Sequence, residues 1–316
     1  MASFMRGVGA VLVLSAVSCA PPIRVATPPG GYPADLGQFW VEPADLAGRD
    51  LYWGPWGKEY APDPSQPFTF VEKKPQGFFS GYSPGYTVKD ARGVEWSAKQ
   101  GDEAQAEVTA SRLVWALGFH QPPNYYLETW TLAGGPQPGP QTRARFRPDI
   151  PGVKNVAPWS WHENPFVGTP PYKGLLVMMA MLNNSDLKPT QNVIYNLAEP
   201  REGSQRWYVA RDLGQSFGET GALGPHRNDV VVFETTKFIL GVANGRVRFN
   251  WEGRWGELLK DITPADVHWT CERLSRISPQ QWQDAFRAGG YDPALAERFI
   301  KRFQAKIAEG MALPVS

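Results

Sequence analysis

The chain has 316 residues and 35.1 kDa, too long for one small module and suited to a two-lobed unit or two domains. Hydrophobic residues make up 42% and charged residues 20%, which permits a sizeable core and excludes a wholly disordered chain. A formal net charge of +1 gives no general electrostatic case for nucleic acid, and the 32 Gly and 30 Pro follow no Gly-X-Y period, which excludes collagen.

The first element is a targeting segment. An uncharged run over residues 7–18 follows Arg6; it is too short to span a bilayer and has the length of a signal-peptide core. It ends Ala16-Val17-Ser18-Cys19, which resembles a bacterial lipoprotein cleavage site, although Ala16 stands where Leu is usual. The expectation is a signal peptide over 1–18 and a lipidated Cys19 that holds the protein on a membrane of the cell envelope; plain secretion to the periplasm or beyond is the alternative. Residues 19–50 begin Pro-rich and are assigned to a tether. The remaining cysteine, Cys271, lies in a helical pattern and is read as a buried apolar residue rather than a nucleophile.

An N-terminal lobe is assigned to 51–132. Its strands are expected over 68–74, 86–90, 94–99 and 125–132, with a Gly- and aromatic-rich loop over 77–85 and a helix over 103–117 that Gly118 stops. Residues 133–171, rich in Pro, Gly, Arg and Trp, read as an irregular insert. A C-terminal lobe over 172–316 opens with a buried helix over 173–184 and a strand pair over 193–197 and 206–211. It closes with helices over 264–276, 279–289 and 293–309; Ser278-Pro279 and Asp292-Pro293 supply cap-plus-Pro starts for the last two. Strands first and helices last make an α+β chain with a β-rich N-terminal lobe and a helical C-terminal lobe.

Three pieces arrive in an informative order. A Gly-rich loop containing Gly77, Gly81 and Gly85 precedes a strand ending in Lys99 and a helix carrying Glu107. Asn183-Asn184-Ser185-Asp186-Leu187-Lys188-Pro189-Thr190-Gln191-Asn192 follows, and then Ala210-Arg211-Asp212-Leu213-Gly214. Together they resemble an atypical branch of the protein-kinase-like fold, similar to HipA-like kinases, phosphoinositide kinases and exported spore-coat kinases. The resemblance covers about residues 68–214.

It implies an ATP-dependent phosphotransferase acting on a hydroxyl of a protein or small molecule, with Mg²⁺ or Mn²⁺. Backbone N–H groups at Gly77, Gly81 and Gly85 would approach phosphate oxygens. Lys99 would hold the α- and β-phosphates and Glu107 would hold Lys99, with Glu103 as the alternative partner. Asp186 would take or orient the proton of the attacking hydroxyl, and Lys188 would neutralise the transferred group. Asp212 would ligate the metal with Asn192 or Gln191. The pattern departs from ordinary kinases here, because the position five residues after the catalytic Asp is Gln191 and Asn192 is the sixth. Either Gln191 is the ligand, or the loop holds one extra residue, or the site is degraded. No His-Arg precedes Asp186, and no Ala-Pro-Glu follows Asp212. The competing function is a catalytically inactive, kinase-like lipoprotein that serves as an envelope binding module.

Three further groups are weighed. His120, His162, His226 and His268 show no metal-ligand spacing and read as structural or surface residues. The aromatic stretch 159–166 walls the cleft or packs between the lobes. Arg143, Arg145 and Arg147 alternate along an extended segment, either facing an anion or forming a solvated strand face.

Overall fold

The computed structural model describes residues 35–75, 83–221 and 226–314. Alternation of apolar and polar residues builds the first lobe. Strands β1 (Phe68–Lys73), β2 (Gly85–Lys89), β3 (Glu95–Gln100), β4 (Tyr125–Ala133) and β5 (Gly139–Pro148) close into a barrel in the order β1-β2-β3-β5-β4. The neighbours β1–β2, β2–β3, β3–β5 and β5–β4 are antiparallel, and a short parallel pairing of β1 with β4 completes the ring. Its interior is apolar and aromatic: Phe68, Tyr86, Val88, Trp96, Trp130 and Phe146 are all buried there. Helix α1 (Glu103–Ala116) links β3 to β4 and ends where Gly118 takes φ +102°, a left-handed conformation that suits glycine.

The second lobe packs helices α2 (Pro170–Leu182), α4 (Pro264–Ser275), α5 (Pro279–Ala288) and α6 (Pro293–Met311) on one core. Phe217, Phe233, Phe286, Phe299 and Phe303 form its aromatic centre. A three-stranded antiparallel sheet joins β6 (Val153–Ala157), which precedes α2 in the chain, to β7 (Asn192–Arg201) and β8 (Ser204–Ala210), which follow it. A short helix α3 (Val230–Thr235) and the hairpin β9 (Ile239–Ala243) with β10 (Arg246–Phe249) complete the lobe. The chain thus has the α+β, two-lobed architecture, β-rich first and helical second, that its order of strands and helices implies. Among the described residues no helix is long and apolar enough to cross a membrane.

Local sequence sets the helix starts. Thr263 and Ser278 each form a reciprocal capping box, with Asp266 and Gln281 respectively, and Asp292 caps α6; a proline follows each cap.

Two expectations need correction. The segment 133–171 is not an irregular insert. Residues 139–148 are the strand that joins both halves of the barrel, with Ala144 and Phe146 facing its core, and 153–157 are β6. Gly and Pro at the strand ends, together with three alternating arginines, obscured a period-2 pattern. The lobes therefore meet at residues 149–152. The tether also ends earlier than residue 50. Phe39 is fully buried and stacks on Phe166 at 4.8 Å, and Glu42 pairs with Arg273 and Arg276 of the second lobe.

Candidate active site

A cavity of about 1190 Å³ opens between the lobes, and β3, β5, α1 and the loops after α2 and β8 supply its walls. Lys99 is central. Its Nζ lies 2.9 Å from Glu103 Oε2, 3.3 Å from Glu107 Oε2 and 3.0 Å from Asp212 Oδ1. Both proposed glutamate partners therefore hold it, because Glu103 and Glu107 share one face of α1 at i, i+4 spacing. Burial alone would lower the Lys99 pKa. The carboxylates of Asp212, Glu107 and Glu103 outweigh that and hold the ammonium above its ordinary range. Burial likewise works against the Asp212 charge, but Lys99, then Arg145 and Arg147, keep its carboxyl well below the usual carboxylate range.

Glu107 is fully buried and has three cationic partners. Besides Lys99, Arg145 Nε lies 3.0 Å and Arg147 Nη2 lies 2.7 Å from Glu107 Oε1. Arg145 and Arg147 are therefore not a solvated strand face: they point from β5 toward α1 and line the cavity. Arg143 is the exposed member of the stripe and pairs with Asp102. Glu103 also accepts an ion pair from Arg227, and Asn228 Nδ2 donates to Asp102 O at 3.1 Å, so the start of α1 is tied to the second lobe.

The two aspartate loops are fastened to each other. Helix α2 stops at Asn183, which takes φ 56°; its Nδ2 donates to Gly218 O, and Asn184 Nδ2 donates to Ser216 Oγ at 3.2 Å. The polar run ahead of Asp186 thus stitches that loop to the chain following Asp212. Asp186 is 8% exposed and lies on the cavity wall. It accepts from Gln191 Nε2 at 2.9 Å and Gln215 Nε2 at 3.1 Å, and Lys188 Nζ lies 2.8 Å from its Oδ1. Gly214 needs its missing side chain, since a Cβ there would sit 2.9 Å from Glu103 Cβ and 3.3 Å from Lys99 Nζ.

Gln191 and Asn192 are placed differently. Gln191 ends a 3₁₀ turn (Pro189–Gln191) and lines the cavity; its carbonyl accepts from the N–H groups of Arg211 at 3.1 Å and Asp212 at 3.2 Å. Asn192 is the first residue of β7, opposite Ala210. Its side chain is buried, with Nδ2 donating to Trp159 O at 3.1 Å. Asn192 as a metal ligand is therefore corrected: strand alternation turns it away from the cavity. Among the described residues no cluster of three or more His, Cys, Asp or Glu could hold a metal. The donors that remain suit a hard cation bound partly by phosphate: the Asp212 carboxylate, 30% exposed, and the Gln191 amide.

The other sequence-derived positions fall as follows. Gly85 pairs with Lys99 across β2–β3 and lines the cavity, whereas Gly77, Gly81 and Cys19 lie outside the described residues. Trp159, Trp161 and Phe166 belong to the main core, not to the cleft. Cys271 is fully buried, and burial pushes its thiol up to about 12, which makes it unreactive. His120 is a clamp: it stacks on Trp207 at 4.4 Å and bonds Glu202 at 2.8 Å and Gly37 O at 2.7 Å. Lys74 and Gln215 also line the cavity, and no sequence motif marks them. Lys74 ends a strand pattern like any solvated lysine, and Gln215 has no neighbouring motif beyond Asp212-Leu213-Gly214.

No protein-family model matches the chain, and no curated protein matches it in sequence. Among solved structures it is similar, at 14% identity and a TM-score of 0.40, to the Helicobacter pylori proinflammatory kinase CtkA, over 77% of this chain and 93% of that one.

Proposed function

We propose that this chain is an ATP-dependent phosphotransferase of the atypical kinase type that moves a phosphoryl group to a hydroxyl. The observation that carries the reading is the convergence of Lys99, Asp186 and Asp212 on one inter-lobe cavity, with Lys99 held by two glutamates of α1. Transfer of this kind is achieved chiefly by positioning and charge neutralisation, and these residues provide both. The acceptor hydroxyl oxygen forms a bond to the terminal phosphorus as the bond to the nucleotide's leaving oxygen breaks. Asp186 takes the hydroxyl proton, Lys188 faces the transferred group, and Lys99 holds phosphate oxygens. Asp212 and Gln191 would hold Mg²⁺ or Mn²⁺, which when bound would screen phosphate charge.

The leader supports an envelope location through a lipidated Cys19. It also favours a second reading, a catalytically inactive, kinase-like lipoprotein that serves as an envelope binding module, because ATP is scarce outside the cytoplasm. One experiment separates the two. ATP at about 100 times its Kd stabilises a binding protein by about 2.7 kcal/mol, several degrees in Tm. A metal-dependent shift that disappears in Asp212→Ala, together with ATP consumption that disappears in Asp186→Asn, supports the enzyme. Absence of any nucleotide shift sinks the phosphotransferase reading and leaves the binding module.

A further inference from the structure

The cavity holds more positive charge than a lysine–glutamate pair requires. Lys74, Lys99, Arg145, Arg147 and Arg211 all line it. They come from the end of β1, from β3, from two positions of β5 and from the residue before Asp212. The acids that line the same cavity are Glu95, Glu103, Asp149, Asp186 and Asp212; Glu95 pairs with Lys89, Asp186 pairs with Lys188, Glu103 is shared between Lys99 and Arg227, and Glu107 meets Arg145 and Arg147 from α1. Lys74 Nζ and Arg145 Nη1 both donate to one hydroxyl, Ser97 Oγ, at 2.6 and 3.2 Å. Arg147 Nη2 and Arg145 Nε both approach Glu107 Oε1, although Arg145 Nε is not aligned to donate to it. Among the described residues the hydrogen-bond partner of the Arg211 side chain is the hydroxyl of Tyr195, 3.5 Å from its Nη1; burial alone would lower the Arg211 pKa, but Tyr195 and the more distant carboxylates of Asp212 and Glu107 outweigh it. Among the described residues no Asp or Glu oxygen lies within 4.0 Å of Lys74 or Arg211, and the remaining segments contain no Asp or Glu. Arg145 is only 5% exposed, so bulk water does little to compensate it.

Like charges gathered in a partly buried space repel one another unless an anion joins them. Burial, and then Arg145 and Arg147, push Lys74 down to about 8; burial and then Arg145 push Arg147 down to about 9. Glu72 opposes this only in part at Lys74, and Glu107 only in part at Arg147.

We infer that Lys74, Arg145, Arg147 and Arg211 form an anion subsite inside the cavity, distinct from the Lys99–Asp212 pair, that takes a phosphate group. Guanidinium forks and an ammonium converging from three segments match the several acceptor oxygens of a phosphate dianion. The phosphate belongs either to the nucleotide or to a phosphorylated acceptor. The subsite rests on the proposed phosphotransfer only for that choice of source.

The test uses the purified full chain with inorganic phosphate, tripolyphosphate and MgATP, read by thermal shift and calorimetry. Lys74→Gln and Arg211→Gln, singly and together, leave the Glu107 partners in place. Phosphate and tripolyphosphate are expected to stabilise the wild type, and the double variant is expected to bind them about ten- to a hundredfold more weakly. Asp212→Asn is expected to keep metal-free phosphate binding while losing ATP turnover, so loss of turnover alone leaves the subsite standing. Competition between phosphate and MgATP assigns the group to the nucleotide; simultaneous binding assigns it to the acceptor. Unchanged phosphate affinity in the double variant, or no stabilisation of the wild type at tens of millimolar phosphate, overturns the proposal. If the double variant does not fold, the same criterion applies to each single variant.

Discussion

Glu107→Gln is the most informative perturbation of the site. The substitution keeps shape and removes one charge from a fully buried position that faces Lys99, Arg145 and Arg147 within 3.3 Å. Removing one partner of a buried ion pair costs about 3–5 kcal/mol, because the remaining charges stay buried without compensation. At roughly 2 °C per kcal/mol for a chain of this size, Tm should fall by about 6–10 °C. Glu103→Gln is the internal control. Glu103 is 14% exposed and shares Lys99 with two other carboxylates, so its loss should cost only about 1 kcal/mol. Urea unfolding of both variants beside the wild type gives the numbers. Added phosphate should recover part of the Glu107→Gln loss by supplying the missing negative charge. A Glu107→Gln protein within 1 kcal/mol of the wild type, or a costlier Glu103→Gln, would show that Glu107 is not the hub of this cluster.

Four further outcomes follow from the geometry. Gln191→Ala should abolish metal-dependent ATP stabilisation with little change in Tm, whereas Asn192→Ala, which loses a buried bond to Trp159 O, should lower stability by about 1–2 kcal/mol and spare metal dependence; the reverse pattern would return the metal to Asn192. Because the folded state holds Lys74 near 8 and the unfolded chain near 10.5, the unfolded state binds more protons between those values, and stability should rise with pH across that window; Lys74→Met should flatten that part of a pH series of denaturation curves. Lys306 is fully buried, donates to Met181 O at 2.7 Å and Asn183 Oδ1 at 2.9 Å, and so steadies the turn that leads to Asp186; Lys306→Met should lower turnover several-fold with KM little changed, and an unaltered kcat would remove this positioning role. Mass spectrometry of protein from membranes should find a mature chain starting at an acylated Cys19, and Cys19→Ser should release it to the soluble fraction; an unprocessed Met1 would refute the anchor.

Much of this arrangement is legible in the linear chain, for local reasons. Cap-plus-proline starts at Ser278 and Asp292 place the last two helices to within a few residues, because capping involves only neighbouring backbone N–H groups. The order Lys99, Glu107, Asp186, Asp212 is likewise legible, since motif spacing survives in the sequence whatever lies between. Tertiary pairing decided the rest. Whether Arg145 and Arg147 meet solvent or Glu107 depends on the face β5 presents once β3 and β4 flank it. Whether Gln191 or Asn192 reaches the cavity depends on where β7 begins to pair with β8, and a one-residue change in that register would exchange them. Lys74 acquires its setting from Ser97, Arg145 and Arg147, residues 23 to 73 positions away in the chain. Side-chain type and local spacing are written in the sequence; the face on which a side chain emerges, and the charges it meets there, exist only once distant strands have paired.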